Sequence, residues 1–192
     1  MSNFNVCDAL ERAKLVFVER PAAARKSNTS ATASLISGMR CDIRGPDGEP
    51  ATTDMHKPMG GEGSSPNPGW LLRASMASCT ATAVAMRAAV LGIGIDKLEV
   101  GVHSESDARG LLGIGDVSAE LSDIRMEIKT GANDATTQQL DELARWAAAE
   151  TAHRNADLAC GYFFRGSSAA LMYVTPQGPV LCNCSSTASL VV

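Results

Sequence analysis

The feature that most constrains this chain is an uninterrupted run of small and apolar residues, WLLRASMASCTATAVAMRAAVL, over residues 70–91. Asn67 and Pro68 stand before it: Asn is a good helix cap, and proline suits the first helical position, where its missing N–H costs nothing. No proline or glycine interrupts the run, and Gly92 supplies a natural stop. At 1.5 Å per residue, such a helix is about 35 Å long, enough to cross a small domain. Its only charges are Arg73 and Arg87, and helices apolar on most sides are usually buried in a core. The sequence therefore predicts a fold wrapped around a central helix, with Cys79 in its middle.

Composition narrows the class. A chain of 192 residues makes one domain, or one and a small appendage, and can bury a sizeable core. Hydrophobic residues at 45% and charged residues at 20% are those of an ordinary soluble globular protein. A net charge of −4 argues against non-specific nucleic-acid binding, which needs a basic face. Ser75, Ser78, Thr80, Thr82 and Arg87 break the longest apolar candidate for a membrane span, so no membrane association is expected. Asp8, Glu11 and Arg12 fall where the apolar stretch of a signal peptide would lie, which points to a cytoplasmic protein. The six cysteines, at 7, 41, 79, 160, 182 and 184, are too irregularly spaced for a disulfide scaffold.

In chain order, residues 4–20 carry Val6, Leu10, Ala13 and Val16 at helical spacing, with Asp8 near the start as a cap; residues 16–18 alternatively begin a strand. Residues 21–31 are small and polar, a linker. Residues 32–44 alternate as one strand, Gly45-Pro46-Asp47-Gly48 is a turn, and residues 51–55 complete a hairpin. Beyond Gly92, residues 97–104 and 124–128 alternate as strands. Between them, Arg109-Gly-Leu-Leu-Gly-Ile-Gly lacks the Gly-Lys-Ser/Thr ending of a phosphate loop and reads as a connection. A second helix over residues 135–153 follows Asp134, and a last strand over residues 169–174 precedes a tail of strand-like composition. Runs of strands, rather than strict alternation with helices, indicate an α+β fold. The expected segments are a helix and linker over 1–31, a main domain over 32–175 and a tail over 176–192.

Gly60-Gly61, Pro66-Asn67-Pro68, Leu71-Leu72, Ala77-Ser78-Cys79-Thr80 and Gly92 together resemble the OsmC/Ohr family of thiol peroxidases. Arg109-Gly-Leu-Leu-Gly is similar to one branch of OsmC-like proteins. The resemblance implies an OsmC-like fold: a long buried central helix with antiparallel sheets, in an intertwined homodimer. It also implies reduction of organic hydroperoxides without a cofactor, by a cysteine that becomes a sulfenic acid and is resolved by a second thiol. Cys79 matches the attacking position.

That chemistry needs a thiolate, a group that keeps it ionised and a route to clear the sulfenic acid. Cys79 lies about 16–18 Å from the amino end of its helix, beyond useful reach of the dipole. Arg73 and Arg87 lie off its helical face, so an activating cation must come from elsewhere. Through the resemblance, Arg40 or Arg44 is the candidate, with Arg40 preferred; read alone, either is a solvated hairpin charge. The family's loop glutamate falls at Gly69, with Glu62 nearby in sequence as a substitute. The resolving Cys-Pro site falls at residues 152–154, which hold neither residue. His153 is then a base or hydrogen-bond partner for Cys79, or a helix C-terminal cap, the commoner role. Cys160 is the candidate resolving thiol if the chain folds back, and an external thiol reductant is the alternative.

Two other readings stand beside the peroxidase acting on a small hydrophobic peroxide. One is a non-catalytic homodimer of the same fold that binds a small apolar ligand. The other is a zinc-binding tail at Cys160, Cys182 and Cys184, although a lone Cys-x-Cys without a second ligand pair is a weak metal signal and no metal is expected.

Overall fold

The computed structural model describes residues 6–132, 135–154, 161–165, 171–175 and 178–182. The chain forms two compact bodies, one of residues 12–75 and the other of residues 1–11 and 76–192. Helix α1 (Val6–Glu19) occupies the segment expected to be helical, and Asp8 lies in its first turn.

The first body holds a three-stranded antiparallel meander, β1 (Thr32–Ser37), β2 (Arg40–Arg44) and β3 (Pro50–Thr53). Cys41 stands opposite Leu35 on one side and Thr53 on the other. The expectation of one strand over residues 32–44 is corrected: Gly38, at φ 52°, turns the chain back, so β1 and β2 pair with each other. An alternating pattern that runs through a tight turn looks continuous in sequence, because the period carries no record of reversal. The turn expected at residues 45–48 is present, closed by Gly48 N donating to Gly45 O at 3.1 Å.

Helix α2 (Pro68–Val90) begins where the Asn-Pro signal places it. The Asn67 side chain caps it: Oδ1 accepts from Trp70 N at 2.8 Å. The helix ends in a Schellman motif, with Gly92 at φ 68°, Gly92 N on Ala89 O and Ile93 N on Ala88 O. Burial along α2 differs from the expectation of an all-round apolar core helix. Within one chain only Thr80, Val84 and Ala88 are buried, at successive fourth positions that form a single stripe.

In the second body, β4 (Lys97–Glu105) and β5 (Ser122–Gly131) form an antiparallel pair, connected through the short helix α3 (Ala108–Leu111). The glycine-rich stretch is thus the strand connection that its sequence suggested. Ile124, Met126, Ile128 and Thr130 are buried at period two along β5. Against them pack Val84 and Ala88 of α2 and Leu143, Ala144 and Ala147 of α4 (Thr137–Arg154), making the core of this body. Arg87 ties α2 to α4: its Nη2 donates to Glu142 Oε1 at 2.9 Å, and its guanidinium lies 5.9 Å from the Trp146 ring centre.

Thr136 caps α4. Gln139 N donates to Thr136 Oγ1, and Thr136 N donates to Gln139 Oε1 at 2.9 Å, a reciprocal capping box. The expectation of antiparallel sheets is corrected, since β6 (Gly161–Arg165) runs parallel to β5. Helix α4 lies between these strands in sequence and carries the chain back to the starting end, which a parallel pair requires. A separate antiparallel pair, β7 (Leu171–Thr175) and β8 (Gly178–Cys182), places the expected last strand and gives part of the strand-like tail a partner.

Candidate functional site

Cys79 lies midway along α2 and is exposed, next to the buried Thr80. Leu72, Met86 and Val90 are also exposed, at 52%, 44% and 40%. At about 100° per residue, Leu72, Cys79, Met86 and Val90 share one stripe, with the buried stripe of Thr80, Val84 and Ala88 on the other side. Among the described residues, the thiol thus sits on an exposed, mildly apolar stripe of α2.

The two candidate arginines differ in their commitments. Arg44 is engaged with its strand neighbour, donating from Nε and Nη2 to Asp42 Oδ2 at 3.0 and 2.7 Å. Arg40 opens β2 and is exposed, and it forms no ion pair with any described residue. Arg40 belongs to the first body and Cys79 to the second. At Gly69 there is little room for a side chain: a Cβ would lie 3.3 Å from Asn67 Oδ1 and 3.7 Å from Arg73 Nη1. Glu62 lies on the loop before α2 and donates its backbone N–H to Asp54 Oδ2.

That loop also holds a densely hydrogen-bonded side chain that sequence reasoning missed. Asp54 is 1% exposed. Its Oδ1 accepts from Met55 N at 2.8 Å, and its Oδ2 accepts from Glu62 N, Ser64 N and Ser64 Oγ at 3.1, 3.0 and 2.9 Å. The Ser64 amide above all, then its hydroxyl and the other two amides, hold the Asp54 carboxyl below its ordinary range against the opposing effect of burial. Gly61 closes the loop over this carboxylate. A Cβ there would collide with the Met55 carbonyl and lie 2.7 Å from Asp54 Oδ1. The loop's ends are tied by Asp54 N donating to Pro66 O at 3.1 Å and by a 3.0 Å hydrogen bond between the Thr52 and Ser65 hydroxyls. A sequence signal existed: an Asp followed by a Gly- and Ser-rich stretch is the pattern by which a carboxylate gathers loop amides.

The remaining candidates fall at the edge of what is described. His153 is in the last turn of α4, as are residues 152–154, where the Cys-Pro site was sought. Cys160 and Cys184 lie outside the described residues, and Cys182 ends β8. Cys7 and Cys41 are half-buried in α1 and β2. Among the described residues, no group of three or more His, Cys, Asp or Glu side chains is placed to hold a metal ion. Among them, too, no helix is long and apolar enough to cross a membrane.

A family model described as OsmC-like protein matches residues 61–156, the stretch from the loop glycines through α2, β4, β5 and α4. This chain belongs to the OsmC-like family. Solved structures agree with the fold of this OsmC-like chain. An OsmC-like protein from Mycoplasma pneumoniae matches at TM-score 0.60 and 15% identity, over 74% of this chain and 99% of that one. An OsmC-like protein of unknown function from Vibrio cholerae matches at TM-score 0.58 and 10% identity, over 73% and 100%. An organic hydroperoxide resistance protein OsmC from Legionella pneumophila matches at TM-score 0.52 and 17% identity, over 72% and 98%. No curated protein sequence matches the chain.

Proposed function

We propose that this OsmC-like chain is a homodimeric thiol peroxidase that reduces small hydrophobic organic hydroperoxides through Cys79. The observation that carries the reading is an exposed thiol midway along α2 in a chain of this family. The organic hydroperoxide resistance protein from Legionella pneumophila shares its fold.

In the proposed reaction the Cys79 thiolate attacks one peroxide oxygen. The S–O bond forms as the O–O bond breaks, and the departing alkoxide takes a proton and leaves as the alcohol. A second thiol then attacks the sulfenic sulfur, forming a disulfide and releasing water; Cys160 or an external thiol fills this role. A thiol reductant of the dithiol class returns the enzyme to its reduced form. Arg40 is the preferred cation for the thiolate, since Arg44 is already engaged by Asp42. His153 is the candidate base. Dimerisation is supported by the stripe of Leu72, Cys79, Met86 and Val90, because a second copy laid along α2 would remove that apolar surface from water.

One observation favours a second reading, a non-catalytic dimer that binds a small apolar ligand. At Gly69, where the resemblance seeks a glutamate, there is no carboxylate, and Arg73 already lies close by. Alkylation of Cys79 against pH, together with trapping of sulfenic acid after one equivalent of an organic hydroperoxide, separates the two. The peroxidase requires a thiol acidified below the free value of about 8.5 and a trapped adduct that Cys79→Ser abolishes. A free-value thiol with no adduct leaves the ligand-binding reading standing.

A further inference from the structure

The amino end of α2 holds a pairing that the cap alone does not need. Asn67 uses both ends of its amide. Its Oδ1 accepts from Trp70 N at 2.8 Å, which fixes how the amide faces and turns Nδ2 toward His56 Nε2 at 3.2 Å. Nδ2 can only donate, so Nε2 must be the acceptor, and the proton of the neutral ring resides on Nδ1. His56 and Asn67 thus close the loop of residues 54–67 across its mouth, beside the tie from Asp54 N to Pro66 O.

We propose that His56 is a pH-sensitive latch between this loop and the start of α2, closed while its imidazole is neutral and released when the ring is protonated. An imidazolium carries N–H on both nitrogens, so its Nε2–H would face the amide hydrogens of Asn67. Turning the amide would restore that pair only by giving up the cap on Trp70.

The charged groups on the elements that meet at His56 are Lys57, Glu62 and Asp54 on the loop and its approach, and Arg73 in the opening turns of α2. The Asp54 carboxylate is committed to the Met55, Glu62 and Ser64 amides. Held below the ordinary carboxylate range, it stays ionised through the interval in which histidines change charge. The loop's frame therefore persists while its closure to α2 titrates. The latch does not depend on thiol chemistry at Cys79, and it stands or falls separately from the peroxidase reading.

The chain has three histidines and two tryptophans, which makes the test direct. Long-range proton–nitrogen spectra of the full chain, with His56→Gln to assign the ring, should show at about pH 8 a protonated Nδ1 and an acceptor-type Nε2. Lowering the pH to about 5 should protonate Nε2 and move the Trp70 backbone amide resonance in one single-proton transition. Emission from Trp70 in a Trp146→Phe background should follow the same transition. In His56→Gln, which keeps an acceptor but cannot titrate, the Trp70 transition should be lost. A neutral ring protonated on Nε2, or a Trp70 transition that survives in His56→Gln, overturns the proposal. If Trp146→Phe disturbs the Arg87 contact and the fold with it, the Trp70 amide resonance in the chain with both tryptophans reads the same transition and decides the matter.

Discussion

Replacing Asn67 with alanine removes the acceptor for Trp70 N while leaving the main-chain bond from Leu71 N to Asn67 O intact. Pro68 has no N–H to lose, so the side-chain bond to Trp70, at 2.8 Å, is the chief polar interaction at stake in the first turn. Loss of an Asn cap to alanine costs about 1 kcal/mol. For a chain of this size, that lowers the melting temperature by about 2–4 °C. The hydrogen bond to His56 is exposed and adds little to this. Asn67→Asp keeps an oxygen on Trp70 N and places a negative charge at the positive end of α2, so it should stay within a few tenths of a kcal/mol of the parent. The assay is thermal unfolding followed by circular dichroism on both variants at neutral pH. If alanine melts with the parent, or aspartate loses as much as alanine, the side-chain cap does not anchor α2 and the reasoning fails.

Other expectations follow from burial and room. Leu143→Ala, at a fully buried core position against β5, should cost about 2–5 kcal/mol in urea unfolding, whereas Leu112→Ala, 61% exposed, should stay within about 0.5 kcal/mol. Gly61→Ala forces a Cβ against the Met55 carbonyl and should cost about 1–3 kcal/mol, while Gly94→Ala meets nothing within 4 Å and should be neutral or stabilising by up to about 1 kcal/mol. The lowered Asp54 carboxyl gives stability that is complete above its unfolded value and drains away as pH falls through the lower folded value. Asp54→Asn should therefore be less stable than the parent at pH 7, with the gap in unfolding midpoint closing as the medium is acidified past about pH 4. A gap constant down to strongly acidic pH would show that the bonds to Met55, Glu62 and Ser64 do not depend on ionisation.

Much of the fold was legible in local chemistry. Asn67-Pro68 and Gly92 bound α2 because capping and a left-handed stop are decided within a few residues. The alternation in β5 was readable because one face of the strand is buried and the other is not. The Asp54 frame was less legible, since its amide donors lie up to ten residues away along an irregular loop. The doubled use of Asn67 was hidden for a related reason: a cap signal does not tell where the other end of the amide will point.

By itself the sequence determined where α2 starts and stops, that strands flank it, and which family pattern Cys79 falls in. Only the tertiary structure decided which stripe of α2 is buried, because small residues fill every side of that helix and hydrophobicity alone cannot choose among them. It also decided that β6 runs parallel to β5, since direction is set by the path of α4 and leaves no periodic mark. Tertiary structure likewise set Cys79 on an exposed side of α2. A residue type says what a thiol can do, and only the packing around α2 says which side of the helix it is on.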